Sequence, residues 1–181
     1  MQETVYSPRE DSFLLLECVE VKPKQLVLDI GTGSGIQAIK AASMGAKVIA
    51  VDISSKALEK AAENAARAGV LEKIEFRESD LFKKVKEKFD AIIFNPPYVP
   101  SEGIKLTDID GGKNGREVLD RFLAEFKKHL QGKGKCFFLQ SSLNGVKETE
   151  AKLEKQKMRF RIVGRKKLFF EELLVFKAWR E

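Results

Sequence analysis

The chain has 181 residues, 43% apolar and 33% charged, which suits one globular domain with a full core. Lys and Arg outnumber Asp and Glu by 33 to 27; this permits an acidic or nucleic-acid partner without requiring one, because no basic run stands apart from nearby acids. No apolar run reaches the ~20 residues of a membrane span, the polar start MQETVYSPREDS is not a signal peptide, and two cysteines without a CxxC partner beside the single His129 argue against a zinc site and for a reducing, cytoplasmic setting.

In chain order, strands and helices alternate. QLVLDI (25–30) is an apolar strand ending in an acid and a glycine loop. GIQAIKAASM (35–44) is a helix stopped by Gly45, and KVIAVDI (47–53) is the second strand. Ser54 or Ser55 caps the Ala-rich helix KALEKAAENAARAG, which Gly69 ends. IEFRESD (74–80) and FDAIIFN (89–95) are strands three and four. REVLDRFLAEFKKHL (116–130) places Val118, Leu119, Phe122, Leu123, Phe126 and Leu130 at helical spacing. GKCFFLQS (134–141) is strand five and VKETEAKLEKQK is an exposed helix. MRFRIVGRK (158–166) and EELLVFKAW (171–179) are joined by a link that fits an antiparallel pair and is too short for a parallel crossover. Alternation predicts an α/β fold, a mainly parallel seven-stranded sheet with one antiparallel strand and helices on both faces. Ligands of such sheets sit at the carboxyl ends of the strands.

LDIGTGSG brings Gly31, Thr32, Gly33 and Gly35 between the first strand and its helix, where glycine lets the backbone approach a ligand closely. The run from Gly33 to Ala38 also fits a dinucleotide fingerprint, so NAD and S-adenosylmethionine (SAM) are both open on this loop. Asp52, ending strand two, suits a ribose diol. Asp29 is a poor neighbour for a pyrophosphate and a good one for the ammonium of SAM. Asp80 could accept from adenine N6, with Ile53 and Leu81 sandwiching the ring. The structural alternative is that Asp29 and Asp52 cap helices and Asp80 only ends a strand.

Strand four runs into Asn95, Pro96, Pro97 and Tyr98. The prolines stiffen an extended segment and leave its carbonyls free. An amide or aromatic NH₂ is a weak nucleophile; acceptors on both N–H bonds would aim its lone pair and stabilise the charge that develops on methylation. Asn95 Oδ1 and the Pro96 carbonyl could supply that pair, and Tyr98 a ring against a planar group. The alternative is a proline-stiffened loop with Tyr98 as packing.

The order LDIGTGSG, VDIS, ESDLF and FNPPYVP resembles the class I, Rossmann-like SAM-dependent methyltransferases, and within them the HemK/PrmC group. VYSPREDSFLLLE (5–17) and GGKNGREVLDRFL (111–123) resemble signature segments of its short archaeal and eukaryotic branch. The resemblance spans nearly the whole chain and implies methylation of the glutamine side-chain amide in the Gly-Gly-Gln loop of a class-1 translation release factor. It implies SAM binding by Gly31, Gly33, Asp52, Asp80 and Asn95, with Ser12 and the YSPRED segment over the methionine end; Ser12 could equally cap the helix at FLLLE. GGKNG would be a loop at the mouth of the site, a substrate lid or a plain turn. Residues 1–24 are too few for the helical docking domain of the bacterial members, so one domain over 1–181 is expected, its N-terminal segment covering the cofactor site. The short branch implies a heterodimer with a small zinc-binding activator, which could add a strand to an edge such as IEFRESD. The competing class is methylation of an exocyclic amine on RNA or DNA. NPPY serves that equally well, but no recognition domain is visible to handle a flipped base.

Overall fold

The computed structural model describes residues 8–99, 111 and 115–180. Tyr6 and Ser7 of the YSPRED segment, Pro100 and the centre of GGKNG lie outside them. Helix α1 (Glu10–Cys18) precedes β1 (Leu26–Ile30), α2 (Ile36–Ser43), β2 (Lys47–Asp52), α3 (Ser55–Arg67), β3 (Ile74–Glu78) and β4 (Phe89–Phe94). Then come α4 (Glu117–Glu125), β5 (Leu130–Ser141), α5 (Val146–Lys155), β6 (Met158–Lys167) and β7 (Glu172–Arg180).

The strands form one seven-stranded sheet in the order β3-β2-β1-β4-β5-β7-β6. The neighbours from β3 through β5 pair in parallel, and β7 runs antiparallel to both β5 and β6. The expected sheet therefore forms, with β3 at one edge and the closing hairpin at the other.

Side chains alternate across it. Leu28, Ile30, Ile92, Phe94, Phe138 and Phe176 face Leu119, Phe122 and Leu123 of α4 and Leu153 of α5. Val27, Val48, Ala50, Ile93, Phe137 and Val175 face Leu15 of α1 and Ala38, Ala41 and Ala42 of α2. With helices on both faces the central strands are buried on both sides, so LVLDI, AIIF and CFFL read as apolar runs. Phe122 packs on Phe94, Phe126 and Phe138 at ring separations of 4.6, 5.4 and 5.8 Å. Phe94 is the last residue before Asn95, so this aromatic core anchors the base of the proline loop.

Three expectations need correction. The helix over 116–130 stops at Glu125; a 3-10 turn, Phe126–His129, follows, and β5 starts at Leu130 rather than 134. Phe126 and Leu130 are buried as their spacing predicts, but by two further elements, and β5 absorbs the early start through a register shift against β4. Helix α5 is not wholly solvated: Thr149 and Leu153 are buried and Val146 packs beside them at helical spacing. Ser12 does not cap α1. The cap position is Arg9, and Ser12 is the third helical residue.

Candidate active site

The register brings three loops level. Ile30 pairs with Val51 on one side and Phe94 on the other, so Gly31, Asp52 and Asn95 leave the sheet side by side. This is also where the strand order reverses, between β1 and β4. A cavity of about 480 Å³ opens there. Ser12, Asp29, Gly31, Thr32, Gly33, Asp52, Ile53, Asp80, Leu81, Asn95, Pro96, Pro97 and Tyr98 all line it, and Gly35 does not. Gly35 has φ +84°, and a methyl there would lie 3.0 Å from Ala61 Cβ. Its role is to let α2 start close against α3.

Asp52 ties the first two loops together. Its Oδ2 accepts from Gly33 N at 2.9 Å and its Oδ1 from Ser54 N at 3.0 Å. The cap of α3 is Ser54, which accepts from Ala57 N. Asp29 Oδ2 accepts from Thr32 Oγ1 at 2.7 Å and from Ala38 N, in the first turn of α2, at 3.1 Å. The capping alternative thus holds for Asp29 alongside its place on the cavity wall. Asp29 is 2% exposed, and burial pushes its carboxyl up to about 7 against the pull of those two bonds. No cation among the described residues pairs with it.

Asp80 lies two residues beyond β3. Its Oδ2 accepts from Arg121 at 2.7 Å and Lys83 at 2.9 Å, and these bonds, Lys83 first, hold its carboxyl below the usual range. The expected adenine acceptor therefore already carries two cations. Arg121 was not singled out from sequence. The available signal is that Val118 and Arg121 share one face of α4 by i, i+3 spacing, and both line the cavity.

The proline loop is braced from two sides. Asn95 Nδ2 donates to Asp11 Oδ2 at 2.9 Å. A carboxylate only accepts, so this bond fixes which end of the amide points where. Asn95 Oδ1 is left buried with no partner among the described residues. Asp11 is itself buried; it lies in the YSPRED segment, but nothing local assigns it this role. Ser12 Oγ donates to Asp11 Oδ1 at 3.4 Å, and the Ser12 carbonyl accepts from the buried Gln37 at 2.8 Å, fastening α1 to α2.

On the far side, the Tyr98 carbonyl accepts from Asn144 Nδ2 at 3.1 Å. A methyl at Gly115 would collide with both groups. Arg116, buried, donates to the carbonyls of Asn144 and Gly145 and pairs with Asp120 at 2.7 Å. The described ends of GGKNG are therefore packed: Gly111 N donates to Val99 O at 2.9 Å, and Glu117 N to Gly111 O at 2.8 Å. Burial raises the Tyr98 phenol well above its ordinary range, so Tyr98 is a neutral wall rather than a base.

Residues 5–170 match the methyltransferase small domain. The chain belongs to that family. Over 184 residues this methyltransferase is 49% identical to a candidate protein N5-glutamine methyltransferase of Methanocaldococcus jannaschii, covering 97% of this chain and 92% of the relative. It is 34% identical over 160 residues to mouse methyltransferase HEMK2, covering 80% and 75% of the two chains. Among solved structures it is similar to one in the E. cuniculi Mtq2-Trm112 complex, described as responsible for methylating the eRF1 translation termination factor. That likeness has a TM-score of 0.77 at 27% identity and covers 97% of this chain and 98% of the other.

Proposed function

We propose that this methyltransferase transfers a methyl group from SAM to the side-chain amide nitrogen of the glutamine in the Gly-Gly-Gln loop of a class-1 release factor. The observation that carries the reading is the Asn95 amide. Its nitrogen is held by Asp11, its oxygen is a buried acceptor with no partner among the described residues, and the residue itself lines the cavity. An orphaned buried acceptor costs about 1–3 kcal/mol, and an incoming N–H removes that cost.

The donor set fits the cofactor. Asp29, buried and with no cation paired to it among the described residues, suits an ammonium; Asp52 suits a ribose diol; Ile53, Leu81 and Val118 offer apolar walls to a purine. SAM, when bound, supplies an electrophilic methyl. The protein's residues do the rest. Asn95 Oδ1 and the Pro96 carbonyl accept from the two N–H bonds of the substrate, aim the nitrogen lone pair, and stabilise the positive charge as it develops. No strong base is required, because the proton becomes acidic once the methyl arrives. Helix α1, through Asp11 and Ser12, borders the methionine end, within one catalytic domain.

A small zinc-binding activator pairs with the outer edge of β3 by strand addition, in a reducing cytoplasm that suits two free cysteines. In support, β3 is an edge strand, and the structurally similar E. cuniculi protein is one of a pair. The test uses tritiated SAM, with and without the activator. The acceptors are a class-1 release factor, the same factor with its loop Gln changed to Ala, and total RNA. Label in the factor that disappears with Gln→Ala supports the reading; label in RNA alone overturns it and moves the acceptor pair to a base amine.

A further inference from the structure

Four large apolar side chains are exposed on segments that adjoin the cavity: Val99 at 42%, Leu143 at 65%, Phe170 at 85% and Phe169 at 91% exposure. Hydrogen bonds link the segments that carry them. Asn144 Nδ2 donates to Tyr98 O at 3.1 Å, joining the Leu143 loop to the proline loop. Ser142 N donates to Glu172 O at 2.8 Å, and Glu172 N to Ser142 Oγ at 2.9 Å, joining that loop to the β6–β7 hairpin. Leu168 N donates to Glu171 O at 2.8 Å and closes the hairpin tip. Leu168 and Leu173, on either side of the phenylalanines, line the cavity itself. The aromatic tip is thus carried between two residues of the site wall.

Resting on the function proposed above, we propose that Phe169 and Phe170 form the docking knob for the polypeptide that carries the target glutamine. Two phenylalanines left in water contribute little to the fold, whereas buried aromatic anchors dominate protein interfaces. Their geometry favours a protein over a nucleic acid. The rings meet edge to face, with centroids 4.7 Å apart and planes at 78°, which makes a compact knob rather than parallel faces for stacking bases. Nearby charge is matched rather than basic. Arg165 pairs with Glu172 at 3.0 Å and Lys166 with Glu10 at 3.4 Å. Among the described residues of the tip, phosphates find no cluster of uncompensated cations, whereas the phenylalanines suit an apolar surface on a substrate protein.

The test is the double variant Phe169→Ser/Phe170→Ser, assayed on the intact release factor, with the activator where wild type needs it. Two lost aromatic anchors should raise KM for the factor about tenfold or more, while kcat at saturating factor and the Kd for SAM stay within about twofold. An unchanged KM overturns the proposal. So does a parallel loss of SAM affinity, which would make the tip part of the cofactor site. Loss of activator co-purification, or a change in the mass of the free enzyme, also overturns it by assigning the knob to another contact. Wild-type enzyme that labels RNA and not the factor defeats the functional reading itself, a result separate from a wild-type enzyme active on the factor with an equally active variant.

Discussion

Asp11→Ala tests whether the Asn95 acceptor is aimed by the carboxylate behind it. The bond removed is 2.9 Å long, from an amide N–H to a buried carboxylate. Hydrogen bonds to charged groups contribute about 1.5–3 kcal/mol, a factor of roughly 10–100. Without it the Asn95 amide can rotate or invert, presenting N–H₂ where the substrate needs an acceptor. Single-turnover transfer of tritiated methyl, at saturating SAM and release factor, should therefore slow about 10- to 100-fold, with the loss in kcat rather than in either KM. Asp11→Asn, which keeps an uncharged acceptor, should recover part of the rate. Asp11 and Asn95 act as one unit, so Asp11→Ala/Asn95→Ala should be no slower than Asn95→Ala alone. A single-turnover rate for Asp11→Ala within about twofold of wild type would refute the reasoning. So would a defect confined to SAM binding, since Asp11 also lines the cavity.

Two further outcomes follow from buried charge. The Asp29 carboxyl titrates near 7 when folded and near its ordinary 3.8 when unfolded, so the folded chain holds the extra proton between those values. Its contribution to stability is complete below the lower value and is lost as pH rises through the upper one. Glu20 and Glu87, each drawn down from 4.5 to about 2 by side-chain bonds to Lys177 and Arg77 respectively, act below about pH 5. Thermal midpoints of wild type should fall between about pH 5 and 7 while those of Asp29→Asn change less; equal slopes would show that Asp29 does not control this range. For Arg116→Met, removal of a buried cation from Asp120 and two carbonyls should cost about 3 kcal/mol, the low end for a broken buried pair because Asp120 is partly solvated. That corresponds to a midpoint lower by roughly 10 °C for a chain of this size, read by calorimetry; a drop under about 3 °C would place Arg116 outside the structural frame.

The sheet and the cavity were legible in the sequence because both follow from short-range patterns. Doubly buried strands leave apolar runs, and the loops that follow them carry Gly31, Asp52 and Asn95 one step past the last paired residues. Side-chain partnerships across the fold leave no such trace. Asp11 and Asn95 are 84 positions apart, and Asp80 and Arg121 are 41 apart. Nothing in the spacing of either pair differs from a solvated acid or base. The charged composition of α5 hid a stripe of only three inward positions. The helical spacing of Phe126 and Leu130 was satisfied by a 3-10 turn and a strand start, because burial constrains where a side chain points more tightly than which element carries it.

The same distinction explains how a weak nucleophile could be handled here without a strong base. Proline stiffness fixes the path of residues 95–97, which local sequence can encode. It does not fix the rotation of the Asn95 amide, on which the direction of the acceptor depends. That rotation is set by Asp11 from α1, while Asn144 and Arg116 hold the far end of the loop through the Tyr98 carbonyl. Each brace is anchored in a separately packed helix or strand end. An acceptor held this way requires little reorganisation when an N–H arrives, and preorganised acceptors of this kind supply the electrostatic part of catalysis. Removing either amide partner, Asp11 or Asn144, should therefore cost rate before it costs fold. By the same reasoning the Asn144 side should behave like the Asp11 side: Asn144→Ala would free the Tyr98 carbonyl and lower kcat, leaving Asn95 paired with Asp11.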